Sequence, residues 1–114
     1  MNKRTLRAAM LVFMLIPTMA SAQQVAIRGA GMSTCGSWVS GDRLDRLNSL
    51  SWVLGFVSAA SVFRAKEFSS DGKYDAMNGA DADAIELWIT NYCSQNPLKK
   101  LWNASTAMLI EASK

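Results

Sequence analysis

Cys35 and Cys93 are the only cysteines of the 114-residue chain, and it contains no histidine. Those two facts bound the chemistry its side chains can perform. Without imidazole, neither a nucleophile–base pair of the Ser–His or Cys–His kind nor a thiolate–imidazole metal site can be assembled. The two thiols stand too far apart for a Cys-x-x-Cys redox pair. Asp81, Asp83 and Glu86 leave two-carboxylate catalysis open on residue type alone. They fall in the first turn of a helix, however, where capping and the helix dipole account for them. Gly29-x-Gly31 lacks a dinucleotide fingerprint's third glycine, since Thr34 stands in its place and no βαβ unit surrounds it. The acids between Glu67 and Ala80 lack the ligand spacing and terminal glutamate of an EF-hand. The reading is a non-enzymatic binding protein with no catalytic residue, no metal and no cofactor.

The first 22 residues carry an address. Lys3, Arg4 and Arg7 form a basic start, Ala8 to Pro17 an apolar run, and Ala20-Ser21-Ala22 a small-residue cleavage site. The apolar run is shorter than the roughly 20 residues a spanning helix needs. No cysteine follows the cleavage point to take a lipid. The expectation is a cleaved secretory signal over residues 1–22, a periplasmic product and no stable membrane anchor. Three of the twelve basic residues leave with that leader, so nine remain against nine acidic ones. A chain in formal balance has no basic face for nucleic acid. Only Met32, Met77 and Met108 remain of the methionines, too few for a Met-rich promiscuous groove.

An exported protein with two cysteines usually pairs them. A Cys35–Cys93 bridge is expected on that ground, a pair of reduced core cysteines being the alternative. The elements that must bring the two together can be read from periodicity. Ile85, Trp88, Ile89, Tyr92 and Cys93 form the apolar stripe of a helix starting at Asp81 or Asp83 and stopping before Pro97. Ser33 or Thr34 can cap a short helix that carries Cys35, Trp38 and Val39 and ends near Gly41. Asp42 to about Lys66 is the longest helix. Leu44, Leu47, Leu50, Leu54, Val57 and Ser61 form its stripe, widened by Val53, Phe56, Ala60 and Phe63. Gly55 interrupts its middle at a cost of about 1 kcal/mol relative to alanine. Glu67 to Ala80 reads as a surface loop with turns at Asp71-Gly72 and Asn78-Gly79. Asn96 as cap and Pro97 as first residue open a last helix to about Ala112, with Leu98, Leu101, Trp102, Ser105, Met108 and Leu109 on its apolar side. Asn103-Ala104-Ser105 spells a glycosylation sequon, read as chance in a chain with a bacterial type of leader. The sum is all-α: a small disulfide-clamped bundle of three to four helices over residues 33–114, preceded by an extended arm at 23–32.

Binding sites are sought among the large aromatics. Trp88 lies on a core stripe. Trp52 and Trp102 lie nearer stripe edges, and with Phe56 they are the candidates for a protein-binding surface. At this point the residues resemble a family. Thr34-Cys35-x-x-Trp38, Trp52-Val53-Leu54, and Tyr92-Cys93-Ser94-Gln95-Asn96-Pro97-Leu98-Lys99-Lys100-Leu101 together resemble the HdeA/HdeB proteins, small periplasmic helical proteins with a cysteine near each end of the helical body. The resemblance implies a Cys35–Cys93 disulfide, a homodimer at neutral pH, and acid-triggered holdase activity on unfolded periplasmic clients. The chain departs from those chaperones in ending on a lone Lys114 where they carry clustered lysines.

A chain without histidine has no unperturbed group that switches near pH 6.5, so an acid trigger would have to act through carboxylates. Protonating all nine would take the mature side chains from balance to +9. Mutual repulsion would then part subunits and uncover apolar surface. The ending from Pro97 onward, with Leu101, Ala104 and Leu109, is also similar to the Tai-type periplasmic immunity proteins. That similarity implies a rigid surface for one cognate amidase effector of type VI secretion.

Overall fold

Among the described residues four α-helices follow one another, and each begins where a side chain or a neighbouring carbonyl satisfies its first amides. The computed structural model describes residues 25–68, 75 and 77–114. The leader lies outside them, as does the Asp71-Gly72 turn. A 3-10 turn at Gly29–Met32 leads into α1, Cys35–Ser40. Thr34, not Ser33, caps α1 by accepting the Ser37 amide at 3.1 Å. Helix α2 spans Arg43–Phe68, with the Asp42 carboxylate accepting the Asp45 amide at 2.9 Å. Helix α3, Ala82–Gln95, is capped by Asp81, whose carboxylate accepts the Ala84 amide at 2.8 Å. Helix α4 is Leu101–Ala112. Between α2 and α3, Met77–Gly79 makes a turn in which Gly79 takes φ +84°, a conformation that glycine adopts without strain.

The start of α4 differs from the expectation. Pro97 does not open a helix. Asn96 closes α3, its side-chain amide donating to the Tyr92 carbonyl at 2.9 Å. The intervening residues form a turn, closed by the Lys99 N–H donating to the Asn96 carbonyl at 3.0 Å, and α1 uses their remaining carbonyls. The Cys35 and Gly36 amides, two of the unpaired donors at a helix start, bond to Lys99 and Pro97 oxygens at 2.8 and 2.9 Å. Leu101 N–H returns a bond to Ser33 at 2.9 Å, and Thr34 and Lys100 form an isolated antiparallel bridge. Asn103, the sequon residue, then accepts the Lys100 amide at 3.0 Å and starts α4. Leu98, expected on the apolar side, is 91% exposed.

Beside this backbone clamp lies the covalent one. Cys35 and Cys93 form a disulfide with their Cα atoms 4.6 Å apart, joining α1 to α3. Both are fully buried, and Trp38, Leu50, Val53, Val57, Ile85, Ile89, Leu101, Ala104 and Met108 complete the core around them. The fold is therefore a small all-α bundle closed by a disulfide, as the helical periodicity and the pairing expected of two cysteines in an exported chain implied. Trp88 packs on the rim of this core, stacked on Tyr92 with ring centroids 5.6 Å apart.

The buried stripe of α2 also departs from the expected one. It runs through Leu50, Val53, Val57 and Ala65, whereas Leu44 is 76% and Phe63 68% exposed and Leu47 is exposed as well. Arginines continue the inner face at its ends. Arg46 lies over the Trp38 ring at 5.4 Å, donates to the Val39 carbonyl at 3.1 Å and approaches Glu86 of α3 at 3.9 Å. Arg64 donates to Ser113 beyond α4 at 3.1 Å. A stripe counted in apolar residues alone misses positions that long cationic side chains fill with their methylene stems.

Candidate functional site

Two of the three aromatic candidates come together. Trp52 and Phe56 stand one helical turn apart on α2. Their rings stack with centroids 5.3 Å apart and planes inclined by 21°. Trp102 sits half-buried in the first turn of α4 and belongs to neither ring stack found among the described residues.

Trp52 itself is half-buried, and what covers it is the chain's own N-terminal arm. Its indole N–H donates to the Arg28 carbonyl at 2.8 Å. Gly31 is buried against the ring: a Cβ there would overlap Cζ2 and Cη2 and stand 2.7 Å from Cε2. Gly29, two residues earlier, takes φ +72° and turns the backbone across the indole. Residues 25–28 are extended as expected, while Gly29–Met32 forms a turn seated on α2. Sequence reasoning passed over Arg28 and Gly31. Two glycines two residues apart, with no phosphate loop to explain them, signal a close backbone approach to something flat.

The outward side of α2 continues from this aromatic pair. From Leu47 to Phe63 the helix carries no charged residue. Leu44, Leu47, Ser51, Gly55, Ser58, Ala59, Val62 and Phe63 all face solvent. Gly55 neither breaks nor notches the helix, because α2 runs through it unbroken and a Cβ built there would meet no atom within 4 Å.

The acidic residues that left catalysis open do not converge. Asp81 is engaged as the α3 cap, Asp83 is exposed beside it, and Glu86 faces Arg46 across 3.9 Å. Among the described residues no three His, Cys, Asp or Glu side chains could share a metal ion, and no helix is long and apolar enough to cross a membrane. Among the clefts of the described residues, two are lined by the body of α2. One, of about 370 Å³, is lined by Ser33, Thr34, Ser37, Asp45, Asn48 and Ser49 among others. The other, of about 430 Å³, is walled by Leu54, Val57, Met77, Ala80 and Ile85, with Ser58, Ser61 and Asp75 at its edge.

No protein-family model, curated protein or solved structure matches the chain. The candidate site therefore rests on its own geometry: a stacked aromatic pair whose Trp52 lies under a glycine-bearing arm, continuous with an uncharged helix face.

Proposed function

We propose that the chain is an exported, non-enzymatic protein-binding protein that holds apolar segments of unfolded clients in the periplasm, in the manner of the HdeA/HdeB acid holdases its cysteine segments resemble. The observation that carries this reading is the outward face of α2. Seventeen residues from Leu47 to Phe63 pass without a charge, while Leu47, Val62 and Phe63 stand exposed along them. The large apolar side chains stand at the two ends of the face, with Ser51, Gly55, Ser58 and Ala59 between them, and exposed apolar groups on an uncharged face mark a candidate binding surface. Neutral pH permits a second copy to cover it; acid, by charging the mature chain toward +9, would part the copies and free it.

The test is aggregation of an unfolded client protein at pH 2–4 and at pH 7. Suppression at acid pH, absent at pH 7, is the expected result. No protection at acid pH, with a folded monomer persisting there, removes the chaperone role. The disulfide and the backbone bonds between residues 33–36 and 97–101 favour a second reading, since they build one stiff end. A rigid surface is what a Tai-like immunity protein needs against its amidase. A one-to-one nanomolar complex that abolishes the activity of a peptidoglycan amidase would establish that role instead.

A further inference from the structure

We propose that the cleft between α1 and the first turns of α2 is a binding site for a neutral, hydroxyl-rich small molecule, a saccharide unit by its chemistry. The site lies outside the protein-binding role proposed above and shares no residue with the exposed apolar positions of α2. Asp45, Asn48 and Ser49 of α2 form one wall, and Ser33, Thr34 and Ser37 another. Trp38 and Leu101, both buried, close the floor. The volume, about 370 Å³, suits a compact ligand.

What sets the cleft apart is that its polar side chains are left unspent. A serine or threonine inside a helix can bond its hydroxyl to the carbonyl four residues back. Ser51, Ser58, Ser94 and Ser105 do so, as do Thr90 and Thr106. Of the α2 hydroxyls, Ser49 and Ser61 make no such bond, and each lines one of the two clefts described above. Beside Ser61 the walls are mainly apolar, whereas beside Ser49 further unpaired groups gather. The side chains of Ser33, Asp45 and Asn48 have no hydrogen-bond partner among the described residues. Asp45, Asn48 and Ser49 stand three and four positions apart, so they share one face of α2.

The kinds of group present narrow the ligand. Asp45 only accepts, the Asn48 amide both donates and accepts, and the serine hydroxyls turn to suit. A sugar hydroxyl also donates and accepts, so neighbouring ring hydroxyls can bond Asp45 and Asn48 together. No Lys or Arg lines the cleft, and an anionic ligand would meet the Asp45 carboxylate without compensation. The walls are already in place: the disulfide holds α1, and the Ser33 carbonyl accepts the Leu101 amide at 2.9 Å. Binding therefore requires little ordering of the protein.

The test is an NMR titration of the isotope-labelled protein at pH 7 with glucose, N-acetylglucosamine and maltose, beside butylamine and inorganic phosphate. At least one sugar should shift the amides of Ser33, Ser37, Asn48 and Ser49 at millimolar concentration. The double variant Asn48→Ala, Ser49→Ala leaves the core untouched and should bind that sugar at least tenfold more weakly. Three results overturn the inference: no shift of these amides by any of the sugars in the hundred-millimolar range, equal affinity in the double variant, or tighter binding of butylamine or phosphate than of every sugar. Should the double variant fail to fold, nuclear Overhauser contacts between sugar ring protons and Asn48 or Ser49 of the wild-type protein decide. Their presence supports the site, and their absence overturns it.

Discussion

Trp38 shows how much one polar contact carries in a core this small. The residue is 2% exposed, and its indole N–H donates to the Thr90 hydroxyl at 2.9 Å. That hydroxyl in turn donates to the Glu86 carbonyl at 2.8 Å, so α1 and α3 are joined through one oxygen. Thr90→Val keeps the shape and removes the acceptor, leaving a buried donor unpaired. The expected loss is about 1–3 kcal/mol in urea unfolding, while Thr90→Ser, which keeps the oxygen, should lose well under half as much. Equal losses for the two would mean that the contact contributes packing and not a hydrogen bond. Nothing in the spacing of Trp38 and Thr90 announces this pair; it exists because the disulfide sets α1 against α3.

At the scale of elements, what was legible and what was not divides along a physical line. Caps and breakers act within a few residues, so an α3 start at Asp81 or Asp83, an α1 cap at Ser33 or Thr34 and the stop before Pro97 could be read from the sequence, and the structure uses Asp81 and Thr34. The α4 start could not, because it is set by α1 amides some sixty positions earlier in the chain that take the Pro97 and Lys99 carbonyls. The inner face of α2 was misread for a related reason: Arg46 reaches across to Trp38 and Val39 and leaves Leu44 outside. Of the candidate site, the Trp52–Phe56 pair was visible as two aromatics one turn apart, but the arm lying across it was not. Gly55 offers a test of the outward face. With open space at its Cβ, Gly55→Ala should stabilise α2 by about 0.5–1 kcal/mol. Val62→Lys, on the same exposed side, should leave urea stability within about 0.5 kcal/mol and still abolish client protection at acid pH. Retained protection in the lysine variant would move the binding surface off α2.

For the molecule as a whole, the question is which of its two clamps at the α1–α3–α4 end is the stronger. The disulfide spans 58 positions, and closing a loop of that length in the unfolded chain is worth about 4 kcal/mol. The backbone clamp comprises the bonds from Cys35, Gly36 and Leu101. Each is worth roughly 1 kcal/mol net, and each needs the segments already side by side. The covalent tie supplies that proximity, so the backbone bonds depend on it and not the reverse. Replacing both cysteines by alanine should therefore cost about 4 kcal/mol or more, which for a domain of this size lowers Tm by roughly 15–30 °C. The same variant carries a functional consequence. A small single domain holds only about 5–15 kcal/mol in total, so the cysteine-free chain should spend far more of its time open at neutral pH. If acid acts by opening the bundle, that variant should bind unfolded clients at pH 7, where the oxidised protein is expected to bind none. A cysteine-free protein that loses the stability but gains no client binding at pH 7 would show that opening the bundle is not the trigger. The response to acid would then have to come from charge on a structure that stays closed.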